Sequence, residues 1–474
     1  MTATVNVVDV IFAENARRLK KVALVEGDRR VTYGELFAGV ERMAETLAAQ
    51  GMGPGCRVAV FADDGMEYVT VSLAVMKLRA VIVPVSLSHS FDDIAGVMER
   101  MDVRWLISVR PPAAFGTAVP LPREPAHIRT LFIQQRATKG GDHPEYLSCN
   151  PAFVRFSSGT TGMSKGVVIS HEGVIARTDA ADKTLKMTDR DTVLWLLSMS
   201  FHFVVTILLF LRRGVTITIC VESFPEDALD SLARGEGTFM YASPYHYQTL
   251  AESPDVPARS LADIRMAVST AIGLPPSTAA LFEDKFGFPL CQAYGIIEVG
   301  LPCVQAPGEV AKAGSVGRVG PDYELKFQPD GEILFRGEGM FHAYFSPWRK
   351  RTDIDPDGWF HTGDLGRLDE DGFLFIYGRK KEVINFAGMK IFPAEVETVL
   401  NAYPGVAESQ VYPVADPAFG QLPVARVVIS EDGFDEAAFR RYCYRHLPSY
   451  KVPKQFDRVA AIEKTASGKI RRTG

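Results

Sequence analysis

The chain has 474 residues, 47% hydrophobic and 23% charged, ordinary proportions for a soluble globular enzyme. That length suits roughly two to four folding units of about 100–200 residues each. A formal net charge of −5 supplies no basic field, so nucleic acid is not an expected partner. Six scattered cysteines without a CxxC pair exclude a zinc ribbon and a disulfide framework, and a reducing cytoplasm fits them.

Residues 1–8 lack a basic segment followed by an apolar run, so no signal peptide is expected. Residues 9–20 predict an amphipathic helix with Ile11, Phe12, Ala16 and Leu19 near one face. Residues 22–25 and 30–33 bracket Glu26-Gly27-Asp28 and predict a hairpin. Thr32 is placed to cap a helix through Leu36, Val40, Met43 and Leu47, which Gly51 and Gly53-Pro54-Gly55 end. Strand 57–61, helix 67–78 and strand 81–85 form a βαβ unit, which implies a parallel sheet. A further strand follows at 105–108, and 109–150 read as mostly irregular.

Next come a strand at 153–156, a polar loop at 157–166 and a strand at 167–170. A helix at 174–183 and strands at 193–197, 216–219, 238–241 and 266–270 continue the alternation up to Tyr294-Gly295-Ile296-Ile297-Glu298. The longest apolar stretch, 203–211, is broken by Arg212-Arg213 and falls short of the about 20 residues a membrane-spanning helix needs. From Gly314 the texture changes to short alternating runs at 324–327, 332–335 and 373–377, read as antiparallel β. Beyond Lys380-Lys381 a small α+β pattern has helices at 393–403 and 434–447 and strands at 408–413 and 424–429. The expected organisation is therefore α/β: a large, layered N-terminal part with parallel sheets and a small barrel-like β portion at 1–380, and a small α+β part at 381–474.

The loop Ser157-Ser158-Gly159-Thr160-Thr161-Gly162-Met163-Ser164-Lys165-Gly166 packs five hydroxyls, three glycines and one lysine into ten residues. Glycines let a backbone approach closely, hydroxyls and N–H groups donate to phosphate oxygens, and lysine adds a point charge. The same composition also suits a polar surface turn. A Walker A loop fits poorly, because that pattern opens a helix after Lys-Ser or Lys-Thr, and here Gly166 and a Val/Ile run follow.

This loop resembles the phosphate-binding signature of the adenylate-forming superfamily, which includes acyl-CoA synthetases, luciferases and peptide-synthetase adenylation domains. Ser164 stands where that signature has Pro. Further stretches follow in the family's order: 30–36, Phe201-His202, Tyr294-Gly295-Ile296-Ile297-Glu298, 358–366, 377–388 and Lys464-Thr465-Ala466-Ser467-Gly468-Lys469.

The resemblance implies a carboxylic acid, ATP and Mg2+ as reactants, acyl-AMP as intermediate, and a thiol of CoA or of a carrier-protein phosphopantetheine as acceptor. It assigns the triphosphate to Ser157, Ser158, Gly159, Thr160, Thr161, Gly162 and Lys165, adenine to Tyr294 and Gly295, ribose to Asp364 and Arg379, and the metal to Glu298. Lys469 is implied as the catalytic lysine, with Glu298, Thr161 and His202 beside it in the reaction. The part after 380 is implied to be mobile, turning about Lys381 and bringing Gly388 to the site. Read by themselves, Tyr294 also suits a core, Asp364 a Thr-Gly-Asp turn, Glu298 a solvated loop and Lys469 a solvated tail.

Two departures bear on substrate. Ile297 replaces the usual Thr, removing a hydroxyl whose bond contributes about 1 kcal/mol. His202 replaces the Asp that pairs the ammonium in amino-acid-activating members, so α-amino acids are expected to be poor substrates. With Phe203, Val204 and Val205 it suggests an apolar aryl or alkyl acid. A luciferase-like oxidoreductase and a non-catalytic nucleotide binder are the alternatives from other classes, together with an amino-acid-activating domain. No carrier domain is expected after Gly474, so a carrier is expected to be a separate chain.

Overall fold

Apolar, β-branched runs separated by amphipathic helices pair as parallel strands, and two large sheets result. The computed structural model describes residues 4–87, 89–123, 129–140, 142–157, 165–306, 312–430, 434–464 and 470–472. The first sheet has nine strands, with Val22–Glu26, Thr216–Ile219, Thr192–Trp195, Phe239–Ala242, Met266–Ser269 and Cys291–Ile296 as six parallel neighbours. Antiparallel strands flank them: Arg29–Thr32 at one end, Gly300–Val304 and Arg318–Val319 at the other. The second nine-stranded sheet is parallel at its centre, in the order Pro151–Ser157, Val81–Pro84, Arg57–Phe61, Trp105–Ser108.

The local signals decide most of these elements. Thr32 accepts from the Glu35 N–H while the Glu35 carboxylate accepts from the Thr32 N–H, the predicted cap of Tyr33–Ala49. That helix buries Leu36, Val40, Met43 and Leu47 completely, each contributing roughly 1.5–3 kcal/mol. The first helix is shorter than expected. It runs over Val7–Glu14, because the Asn15 amide turns back to donate to the Ile11 and Leu211 carbonyls, and Leu19 is left 46% exposed. The stretch 109–150 is less irregular than expected: Phe132–Gln135 adds antiparallel to Trp105–Ser108.

The chain divides into two compact units. One comprises Met1–Leu274, Thr278–Glu324 and Phe335–Phe360; the other Pro275–Ser277, Leu325–Leu334 and His361–Gly474. In the first unit, Leu194, Met240, Tyr247, Ala267 and Phe282 form one core and Ala59, Val83, Met98, Leu106 and Val154 another. In the second, Ile384, Val396, Val411, Ala425 and Phe439 pack the helices Pro393–Asn401 and Glu436–His446 on the long hairpin Val406–Asp416/Gly420–Ile429. A four-stranded sheet runs Tyr323–Phe327, Glu332–Gly337, Phe360–Leu368, Leu374–Arg379. Among the described residues no helix is long and apolar enough to cross a membrane.

Candidate active site

Open α/β sheets bind ligands outside the carboxyl ends of their strands; in the first unit the strand Pro151–Ser157 ends at Ser157, and the strand Cys291–Ile296 leads into Glu298. Ser157 ends its strand opposite Lys165 in an antiparallel hairpin, the strand–loop–strand arrangement expected from the sequence. Ser158, Gly159, Thr160, Thr161 and Gly162 lie outside the described residues, as does Lys469. Gly166 packs closely: a Cβ there would stand 2.7 Å from the sulfur of the flexible Met101 side chain and 3.0 Å from Val154 Cγ1. The Lys165 ammonium stands 4.8 Å over the Tyr344 ring, a cation–π placement.

Glu298 sits in the turn between Cys291–Ile296 and Gly300–Val304. The turn is tight, since a Cβ on Gly295 would meet the Gly300 carbonyl at 2.7 Å. The Tyr344 hydroxyl donates to Glu298 Oε1 at 3.4 Å, and the Phe341 N–H donates to the Glu298 carbonyl at 2.7 Å. Burial, with Glu298 next, pushes the Tyr344 phenol well above its usual range, so it stays a donor. Lys165 and Glu298, more than 130 residues apart in sequence, thus share one aromatic ring. Half-buried Tyr294 lies in the strand that leads into this turn, its ring 6.2 Å from Phe335.

Two arginines that the sequence reading did not single out attend this carboxylate. Arg155 lies two residues before the loop, its Nη1 donating to the Phe201 carbonyl at 2.7 Å and its guanidinium 4.7 Å from the Phe201 ring. Arg177, on helix His171–Leu185, donates to the Ile297 and Gly339 carbonyls. Burial lowers both guanidiniums to about 10, while the charge of Glu298 pulls each the other way. A cation inside the apolar strand 153–156 was the available signal for Arg155. Arg177 shares a helix face with Val174, Thr178 and Ala181, a cation on a buried stripe. Nothing local marks Tyr344.

His202 ends the short helix Met199–His202, which continues as a π-turn at Phe203–Ile207, a local form frequent at functional sites. Its ring lies edge-on to Trp195 at 6.1 Å and to Tyr241 at 6.3 Å, two rings that stack on each other at 5.7 Å. Asp64 Oδ1 accepts from the Met199 N–H at 2.6 Å, and burial raises that carboxyl to about 6.

The second unit brings Asp364 and Arg379 together. They face each other across Phe360–Leu368 and Leu374–Arg379. Arg379 Nε meets Asp364 Oδ1 at 2.9 Å and Nη1 donates to the Thr362 carbonyl at 2.9 Å. The Thr362 hydroxyl accepts from the Asp364 N–H at 3.0 Å and donates to the Ile333 carbonyl at 2.7 Å. Lys381 is exposed, and Gly388 takes φ +81 in the turn between Ile384–Phe386 and Met389–Ile391.

The family model described as AMP-binding enzyme matches residues 11–345, and the AMP-binding enzyme C-terminal domain matches 395–469. The 2-succinylbenzoate–CoA ligase of Listeria innocua is 30% identical, over 95% of this chain and 95% of the relative. The long-chain-fatty-acid–CoA ligase FadD13 of Mycobacterium tuberculosis is 27% identical, over 96% of this chain and 94% of the relative. Among solved structures, the o-succinylbenzoate CoA synthetase (MenE) from Bacillus subtilis, in complex with the acyl-adenylate intermediate OSB-AMP, superposes with a TM-score of 0.81 at 26% identity. The match covers 97% of this chain and 96% of that one. With a family model spanning most of its length, the chain belongs to the AMP-binding enzymes, the adenylate-forming superfamily.

Proposed function

We propose that the chain joins a carboxylic acid to AMP at the expense of ATP and then passes the acyl group to a thiol, with CoA the leading acceptor and a carrier-protein phosphopantetheine the second. The observation that carries this reading is the convergence of Lys165 and Glu298 on Tyr344 beside the phosphate-loop hairpin. A carboxylate attacks the α-phosphorus, the bond to pyrophosphate breaks, and an acyl-phosphate anhydride forms. Two anions must approach, so positioning and charge neutralisation supply most of the catalysis. Lys165, with Ser157, Ser158, Gly159, Thr160, Thr161 and Gly162, is assigned the departing phosphates. Tyr294 and Gly295 are assigned adenine, and Asp364 and Arg379 the ribose.

Among the described residues no group of three or more His, Cys, Asp or Glu side chains could hold a metal. A single carboxylate fits Mg2+, which takes most of its oxygens from phosphate and water; Glu298 would hold it, and the ion when bound neutralises phosphate charge. Lys469 is assigned the α-phosphate and the acid's carboxylate. In the second step the thiol sulfur bonds to the acyl carbon, its proton leaves, and AMP departs. We place the mobile part at 381–474, with Lys381 as hinge and Gly388 entering the site for this step.

The aromatic shell of Trp195, Tyr241 and His202 supports an apolar acid, with His202 where amino-acid-activating members carry the Asp that pairs an α-ammonium. All six cysteines are free thiols, which suits a cytoplasmic setting. Pyrophosphate exchange across a panel of aryl, alkyl and α-amino acids, followed by CoA consumption, tests the proposal. Exchange confined to α-amino acids overturns the acid class; no exchange with any acid overturns the reaction.

A further inference from the structure

The reaction as proposed leaves unused a guanidinium that touches the Glu298 turn and the segment that returns to it. Arg177 is 0% exposed. Its Nη1 donates to the carbonyl of Ile297, the residue before Glu298, at 3.2 Å, while Nε and Nη2 donate to the Gly339 carbonyl at 2.9 and 2.6 Å. Gly339 opens the segment that returns to the carboxylate. Phe341 N–H meets the Glu298 carbonyl at 2.7 Å, Ala343 and Tyr344 pair with Val168 and Val167, and the Tyr344 hydroxyl reaches Glu298 Oε1 at 3.4 Å.

We propose that Arg177 is the positioning residue for Glu298: its planar fork fixes the turn carrying the carboxylate and the segment carrying the carboxylate's hydroxyl donor in one geometry. This inference rests on the reading of Glu298 as the metal carboxylate.

Three features support it. The side chain comes from the helix that begins where Lys165–Ser170 ends, so the strand of the phosphate loop and the Glu298 turn share one rigid support. The Gly339 segment and the Gly300 end of the turn pack closely on this part of the helix: a Cβ on Gly339 would stand 2.5 Å from the Arg177 backbone nitrogen, and one on Gly300 2.9 Å from the Tyr323 hydroxyl and 3.5 Å from Arg177 Cβ. The described hydrogen-bond acceptors of this buried cation are neutral carbonyls. An apolar side chain of similar volume would leave the Ile297 and Gly339 carbonyls without this donor. What guanidinium adds is direction, because its donors diverge at fixed angles whereas an ammonium is a point charge.

Mn2+ binding to the enzyme with α,β-methylene-ATP, read by electron paramagnetic resonance, provides the test without turnover. Arg177→Lys and Arg177→Met are expected to weaken Mn2+ binding about tenfold, the usual effect of removing a group that orients a metal ligand. The metal concentration for half-maximal pyrophosphate exchange should rise in parallel and the KM for the acid stay unchanged. In a Glu298→Gln background, Arg177→Lys should add nothing further. If Arg177→Met does not fold, Arg177→Lys keeps a cation in the core and decides. A folded Arg177→Lys with unaltered Mn2+ binding, or one whose effect adds fully to that of Glu298→Gln, overturns the inference while leaving the metal reading intact. If Glu298→Gln itself leaves Mn2+ binding unaltered, the metal reading fails first.

Discussion

The Glu298 turn and the Asp364–Arg379 pair are two ways of presenting a carboxylate. Asp364 is held by strand register: its arginine stands directly opposite on the next strand and pairs with it, side chain 32% exposed. Glu298 is held from a distance by two separate segments: Arg177 donates to the Ile297 carbonyl beside it, while Phe341 and Tyr344 of the returning segment donate to its own carbonyl and to its carboxylate. The first arrangement is local and tolerant, because a neighbouring strand supplies it. The second depends on packing between segments far apart in sequence, so it is precise and fragile.

The largest expected effect lies outside both regions and sets their scale. Lys469→Ala should lower pyrophosphate exchange about 10³-fold while ATP binding by calorimetry stays near wild type, the loss expected when a transition-state donor is removed. Unchanged exchange in that variant would remove the catalytic assignment. Glu298→Gln should cost about 10²-fold in exchange, with a higher metal requirement. A wild-type metal titration curve in that variant would reduce Glu298 to a structural acid.

Below the Glu298 turn, His171 starts the helix that carries Arg177. The Val7 N–H donates to its Nδ1 at 3.2 Å, and burial lowers the imidazole from 6.5 to about 4. The ring is neutral in the fold, so its stabilisation is present above pH 6.5 and is lost as pH falls toward 4. The loss is at most about 3 kcal/mol. Urea midpoints measured across that interval should flatten in His171→Gln; an identical pH slope in variant and wild type contradicts the assignment.

On the register-built side the effects should be smaller. Asp364→Asn removes an ionised acceptor and should raise the KM for ATP about tenfold, leaving acid affinity alone. Arg379→Lys should change it only about threefold, as for a partly exposed pair. If Arg379→Lys proves as damaging as Glu298→Gln, the contrast between the two regions is lost.

What was legible in the sequence follows the same division. The hairpin around 157–166 and the βαβ order arise from short-range periodicity and turn chemistry, whereas Asp364 and Arg379 are named only through the family resemblance and their facing positions come from strand register. The first helix was drawn too long because Leu19 continued the apolar spacing, whereas the Asn15 amide, bonded to a carbonyl 196 residues away, ends it. Arg177 was missed because its acceptors lie 120 and 162 residues downstream. Periodicity marks such a residue as odd on its face of the helix but cannot name what it touches.

The close approaches at Gly295, Gly300 and Gly339 carry a consequence for engineering. Even one added methyl group at any of them collides with main chain or with a buried hydroxyl, so a library intended to redirect acid preference gains nothing by randomising them. Diversity belongs instead at 201–205, where His202 meets its aromatic neighbours and Phe201 and Val205 stay partly open to solvent.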